Sequence, residues 1–356
     1  MTTSSRFIKS SAAVLAALSM HAGAADFADV LETPAQVSPL AAHSLLQAVT
    51  RAGNRLVAVG QRGHILVSND AGTTWTQSRV PVSSDLTSVF FIDATEGWAV
   101  GHDGVILHST DGGSTWELQL DGVAACDRTV ASLRQMLSSL ERKPGTAKLL
   151  DEAQRCKQQG ADKPFLDVWF SDSRNGYAVG AYNLLFRTRD GGKTWESWFD
   201  RSDNPKFLNL YAIRPAGGVL LVAGEGGLAL RFDPALQRFK AVALPYQGSF
   251  FGVADAGSTA ILFGLRGHAY ASNDDARTWK PIDTGLAASI VAAARTDDGR
   301  VLLADAGGRV SSSTDGRTFT PLALQYPTPI AGLVDAGNGK LVLVGPRGAS
   351  LAPVLR

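Results

Sequence analysis

The chain has 356 residues, 45% of them hydrophobic, and 34 basic side chains balance 33 acidic ones to a net charge of +1. That is enough apolar material for a core of one or two domains, and the even charge carries no nucleic-acid footprint. The 37 glycines sit beside so much apolar sequence that they fit a chain of tight turns rather than a disordered one.

Arg6 and Lys9 precede a short apolar run, Ser11 to Met20, and Ala22-Gly23-Ala24 follows as a small-residue cleavage site. The run is too short to span a bilayer. Residues 1–24 are expected to be a secretory signal peptide and residues 25–356 the mature domain, delivered to the periplasm. The alternative is an uncleaved N-terminal anchor. The segment Phe27 to Val37 then leads into the first of a series of repeats.

The repeat has two markers. One is a turn with Ser or Thr, Asp, Gly, Thr and an aromatic residue at fixed offsets. It appears around Asp70 and Trp75, Asp111 and Trp116, and Asp190 and Trp195. Weaker forms follow at Asp274 and Trp279 and at Asp315. The Asp carboxylate accepts from backbone N–H groups of its own turn, glycine allows positive φ, and the ring opens the next strand. These residues read as structural rather than catalytic. The second marker is an apolar-Gly step with another small residue three positions later: Val59-Gly60, Val100-Gly101, Val179-Gly180, Ala223-Gly224, Phe263-Gly264 and Val344-Gly345, with Ala304-Asp305 holding the same place in the sixth repeat. The steps recur at about 40 residues, with one double-length gap. A period of this size with short β-rich segments predicts an all-β, seven-bladed propeller of four-stranded blades.

Blade two shows the unit: Leu86 to Ile92 inner, Gly97 to Val100 second, Val105 to Ser109 third, Trp116 to Leu120 outer. Residues 121–163 break the pattern. Val130, Leu133, Met136, Leu137 and Leu140 follow helical spacing, Pro144-Gly145 interrupts, and Leu149, Leu150, Ala153 and Cys156 suggest a second helix. A helical hairpin between blades two and three is expected. Cys126 and Cys156, the two cysteines of the chain, both fall in it. In an exported protein such a pair favours a disulfide; buried free thiols or a metal site are the alternatives, although no histidine lies nearby. Blade four replaces the Asp turn with Phe232-Asp233-Pro234. Blade seven has three strands before the chain ends at Arg356. The N-terminal segment is expected to supply its missing outer strand and close the ring.

The run from Val100 to Trp116 resembles the bacterial neuraminidase, or Asp-box, repeat. The signal peptide, the seven repeats and the forms Gly-Trp-Ala-Val-Gly (97–101) and Gly-Tyr-Ala-Val-Gly (176–180) resemble the photosystem II assembly and stability factor family of cyanobacteria and chloroplasts. The resemblance runs from about residue 40 to the C-terminus. It implies an exported seven-bladed propeller without catalysis or cofactor, which binds a membrane-protein subunit during assembly through an arginine-rich face.

In a propeller the turns between second and third strands surround the central channel on one face. Here they carry Arg62, Asp103, Tyr182, Glu225, Arg266 and Arg347. Three have the form Arg-Gly, and three guanidiniums at equivalent turns would make a rim suited to carboxylates on a client. The helical insertion should rise from this face. A sialidase-like glycoside hydrolase is one alternative, since the same six side chains include an arginine triad, a tyrosine, a glutamate and an aspartate. The accessory partner of an envelope transporter is another. The expectation is a monomeric membrane-protein binder with no metal, no cofactor and no small-molecule substrate.

Overall fold

The computed structural model describes residues 28–139, 145–325 and 327–354. The signal-peptide reading of residues 1–24 lies outside them, as do Leu140 and Pro144 of the insertion. Seven antiparallel sheets follow one another along the chain, each meandering from an inner to an outer strand. The inner strands are Leu46–Ala52, Leu86–Phe91, Phe165–Phe170, Leu210–Ala216, Phe250–Ala256, Ile290–Arg295 and Gly332–Gly337. They surround a central channel with a cavity of about 450 Å³. The expected seven-bladed propeller is therefore the fold. Among the described residues no helix is long and apolar enough to cross a membrane.

The strands form where β-branched and aromatic residues alternate, and the blades stack through apolar seams. In the seam between blades one and two, Val57, Ile65, Leu86, Val89 and Trp116 are buried together. Trp98 and Phe170 stack at 3.5 Å between ring centroids in the next seam. The Gly steps of the repeat are required by close approach. A Cβ on Gly60 would lie 2.2 Å from the Leu45 carbonyl oxygen, and the same crowding holds at Gly101 against Asp85 and at Gly264 against Ser249.

The Asp boxes make the turns between third and outer strands. In blade one, Asp70 Oδ1 accepts from the Ser68 hydroxyl at 2.8 Å and the Thr74 N–H at 2.8 Å, and Oδ2 accepts from the Thr74 hydroxyl at 2.6 Å. Blades two, three and five repeat this pattern with Asp111, Asp190 and Asp274. Asp315 keeps a looser version, with the Thr318 hydroxyl at 3.4 Å. In blade four Asp233 still accepts from the N–H groups of Ala235 and Leu236, so the turn survives in another form.

Closure of the ring differs from the expectation. The seventh sheet has three strands, Gly332–Gly337, Lys340–Gly345 and Gly348–Pro353. The described N-terminal segment does not join it as a fourth. It crosses to blade one instead: the Ala35 N–H donates to the Val80 carbonyl at 3.0 Å, and Ser83 donates to the Val30 carbonyl at 2.9 Å. Leu31 and Ala35 pack on the blade one–two seam, and Pro34 and Pro39 lack ladder donors, which favours this irregular path over a strand. The ring closes by side-chain packing of Leu46, Leu56, Ala58 and Leu66 on Val334, Val342 and Val344. Arg51 reinforces it, donating to the Asp335 carbonyl and pairing with Asp297.

The insertion is the expected helical hairpin: α1 is Gly122–Ser138 and α2 is Thr146–Gln159, and Cys126 and Cys156 are joined in a disulfide. Asp121 caps α1, its Oδ1 accepting from the Ala124 N–H at 2.8 Å. The hairpin starts at the turn face, where Gly122 lies against Gly104. It does not stand up from that face as expected. It leans outward on blade three, because its apolar stripe of Val130, Leu133 and Ala153 is buried against Phe199. Arg128 donates to the Trp195 carbonyl and Thr129 to the Ser197 hydroxyl, fixing the same contact.

Candidate functional site

The turns between second and third strands are short 3-10 turns in blades one to five, such as Gln61–Gly63 and His102–Gly104. Their middle residues adopt left-handed backbone: Arg62 (φ 55), Asp103 (φ 57), Tyr182 (φ 52), Gly226 (φ 60) and Arg266 (φ 56). Four of the expected rim residues thus occupy one geometric position. Glu225 does not; it is the first residue of its turn, and Gly226 takes the middle. Its carboxylate turns back to accept from the Asn209 N–H at 3.1 Å. Arg347 precedes Gly348, which is crowded by the Ala42 carbonyl just as Gly63 is by that of Val82. It is therefore the blade-seven counterpart of Arg62. In blade six the position is taken by Ala306 and Gly307, and the buried Asp305 pairs with Arg309.

Left-handed backbone is unfavourable for a side chain other than glycine, asparagine or aspartate. Here the next blade offsets it. The Arg62 N–H donates to Asp85 Oδ1 at 2.7 Å, Tyr182 to Asn209 Oδ1 at 2.9 Å, Gly226 to the Ser249 hydroxyl at 3.2 Å and Arg266 to the Ser289 hydroxyl at 3.2 Å. Each acceptor stands at the start of the following inner strand. Sequence reasoning missed these caps, although all of them fall at one position of the repeat.

Inside the rim lies a second ring that the sequence reading also missed. In six blades the register between inner and second strand slips at the second inner residue. Such a bulge re-aims a side chain. The bulged residues are Gln47, Thr87, Leu166, Tyr211, Phe251 and Val291, and all line the channel. The mouth has an apolar arc, with the Tyr211 and Phe251 rings edge-to-face at 5.6 Å. Deeper down, buried Asp167 ties three blades together. It accepts from the Ser88 hydroxyl at 2.7 Å, the Ile213 N–H at 2.8 Å and Arg214 Nη1 at 2.6 Å.

Arg62, Arg266, Arg347 and Tyr182 are exposed, and Asp103 and Glu225 half-buried. Lys163 reaches over the Tyr182 ring at 5.5 Å, adding a cation to that side of the rim. Beside Arg62 a groove of about 920 Å³ runs between its turn and the N-terminal segment, where Val37 and Leu40 are exposed. Its floor holds His64, whose ring nitrogen contacts the Ser44 hydroxyl at 3.0 Å. Burial, and then the nearby Arg62, lower the His64 pKa, with Asp85 opposing. Among the described residues no group of three or more His, Cys, Asp or Glu side chains is placed to hold a metal ion. The rim and mouth together can take carboxylates and apolar side chains of an extended or looped polypeptide.

The family model described as photosynthesis system II assembly factor YCF48 matches residues 36–124 and 150–317. The interval it skips falls on the helical hairpin. No curated protein matches the sequence. Among solved structures, one described as YCF48 bound to D1 peptide is 17% identical, with a TM-score of 0.61 over 91% of this chain and 97% of that one. YCF48 from Cyanidioschyzon merolae is also 17% identical, with a TM-score of 0.57 over 90% and 97%. A GH74 enzyme of Niastella koreensis shares the fold at 12% identity and a TM-score of 0.59, over 87% of this chain and 52% of that one. With its repeats, its seven blades and a family match across most of its length, the chain belongs to the YCF48 family of photosynthesis system II assembly factors.

Proposed function

We propose that the chain is a non-catalytic assembly factor on the periplasmic side of a membrane, where its turn face holds a segment of a membrane-protein subunit. The observation that carries this reading is the turn face itself. Arg62 and Arg266 take the left-handed middle of one repeated turn, and Arg347 precedes the matching glycine of blade seven, around a channel mouth lined by Leu166, Tyr211, Phe251 and Val291. Guanidiniums there pair with client carboxylates, and the mouth receives apolar side chains. Family membership supports the role, and a related propeller has been solved with a peptide of D1.

The test is affinity capture from detergent-solubilised membranes of the host. Wild type is expected to bring down a membrane subunit, and the Arg62→Ala, Arg266→Ala, Arg347→Ala triple variant to lose it. Equal capture by both would move the site off this face. Capture by neither would remove the assembly role.

A further inference from the structure

Among the described residues blade seven has three strands where its sisters have four, and this leaves two features open in the same place. The first is a backbone edge. Its last strand, Gly348–Pro353, pairs with Lys340–Gly345 in a register that sets Ser350 against Leu343 and Ala352 against Leu341. The Val354 N–H donates to the Gly339 carbonyl at 3.0 Å. By the alternation of an antiparallel ladder, Ser350 and Ala352 also turn their backbone groups inward. The N–H and C=O groups of Ala349 and Leu351, and the carbonyl of Pro353, then point outward. A bridge between Leu324 and Val354 covers one end of this edge, and the Ala42 carbonyl crowds Gly348 at the other.

The second is in the seam. In each of the other six blades, the outer strand or the turn leading into it puts an aromatic ring into the seam with the preceding blade. These rings are Trp75, Trp116, Trp195, Phe239, Trp279 and Phe319. Among the described residues, the seam between blades six and seven holds only aliphatic side chains such as Leu302, Leu333, Leu341 and Leu343. Two cavities of about 210 and 220 Å³ flank it, one beside Ile330 and Ala352, the other beside Leu322 and Val354. Upstream of Ala42 the described N-terminal segment is tied to blade one: Gln77 accepts from the Ser38 N–H and donates to the Gln36 carbonyl, both at 2.9 Å.

We propose that this edge takes a fourth strand from a partner polypeptide. The segment runs antiparallel to Gly348–Pro353 and carries an aromatic side chain into the seam between blades six and seven. The six sister blades specify its chemistry: an aromatic residue followed directly by a polar one, as in Trp116-Glu117. Backbone pairing supplies affinity and the ring supplies selectivity. This surface is separate from the arginine rim.

A dye-labelled peptide copying residues 115–121 serves as probe for the whole chain, read by fluorescence anisotropy and by hydrogen exchange. Binding is expected, with slowed exchange at the Ala349 and Leu351 amides. Leu351→Pro removes an outward N–H without touching the ladder, and Ala352→Phe fills the seam. Each is expected to weaken binding by about tenfold or more, as is Trp→Ala in the probe. Arg62→Ala with Arg266→Ala leaves it unchanged, so failure of the rim and failure of the edge are distinguishable. If Leu351→Pro does not fold, Ala352→Phe and the exchange pattern decide. No binding to wild type, or equal binding to Ala352→Phe, overturns the proposal. So does binding that appears only after residues 1–27 are removed, which would make the chain's own N-terminus the occupant.

Discussion

Asp70 shows what a single repeated side chain does. Hydrogen bonds from the Thr74 hydroxyl and N–H, and from Ser68, hold its carboxyl down to about 2, and Asp315 is held to about 2 by the N–H groups of Thr318 and Arg317. A carboxyl lowered by folding stabilises the fold above its ordinary value near 4 and loses that contribution as pH falls through the lowered one. Acid should therefore loosen the box turns first, as an early loss of exchange protection at Thr74 and Thr318. Asp190→Ala removes three acceptor contacts and should lower unfolding stability by about 1–2 kcal/mol in a denaturant titration. His64 has the opposite charge sense but the same slope. Its pKa is lowered by burial, so the unfolded chain binds the extra proton, and stability falls as pH drops below about 6.5. A His64→Gln variant should flatten that acid-side loss; an unchanged profile would assign it to another group. Gly60→Ala, with its Cβ 2.2 Å from a carbonyl oxygen, should be severe, at about 3 kcal/mol or more.

At the level of elements, the insertion is separable from the ring. It is anchored by one apolar stripe, two hydrogen bonds to blade three and a disulfide closing a sequence separation of 30. Replacing both cysteines by serine should remove up to about 4 kcal/mol of cross-link stabilisation from the hairpin. The expected signature is faster proteolysis within 122–159 and an unchanged β-sheet spectrum; loss of the whole fold would tie the hairpin to the ring. The sequence made the hairpin readable because Val130, Leu133 and Ala153 keep helical spacing. Its docking was not readable, because the partner Phe199 belongs to another blade and no local pattern links the two. The Asp boxes were legible for the converse reason: every bond of the motif lies within about five residues. Glu225 lies in its turn as expected, but as the first residue, because Gly226 takes the left-handed middle position. The bulged ring of Gln47, Thr87, Leu166, Tyr211, Phe251 and Val291 escaped because a register slip is a property of paired strands, not of one.

Among the described residues the ring closes through Leu46, Leu56 and Val342 rather than through a shared strand. Leu46→Ala, at a fully buried site in that seam, should cost about 2–5 kcal/mol. Unfolding should remain a single transition, since all blades depend on the ring. Two transitions would show that the seam opens before the rest. The count of seven was legible from the glycine period, but the manner of closure was not: Leu31 and Ala35 pack on the blade one–two seam, a contact between distant segments that no local pattern announces. The capped left-handed turns have a further consequence. Each holds its backbone by a bond to the following blade, while the side chain of its middle residue makes no structural demand. Rim chemistry is thereby uncoupled from folding. The propeller presents a circular row of interchangeable letters on a fixed hub; under the role proposed above, exchanging Arg62, Tyr182 or Arg266 should change which client is held while leaving the fold intact.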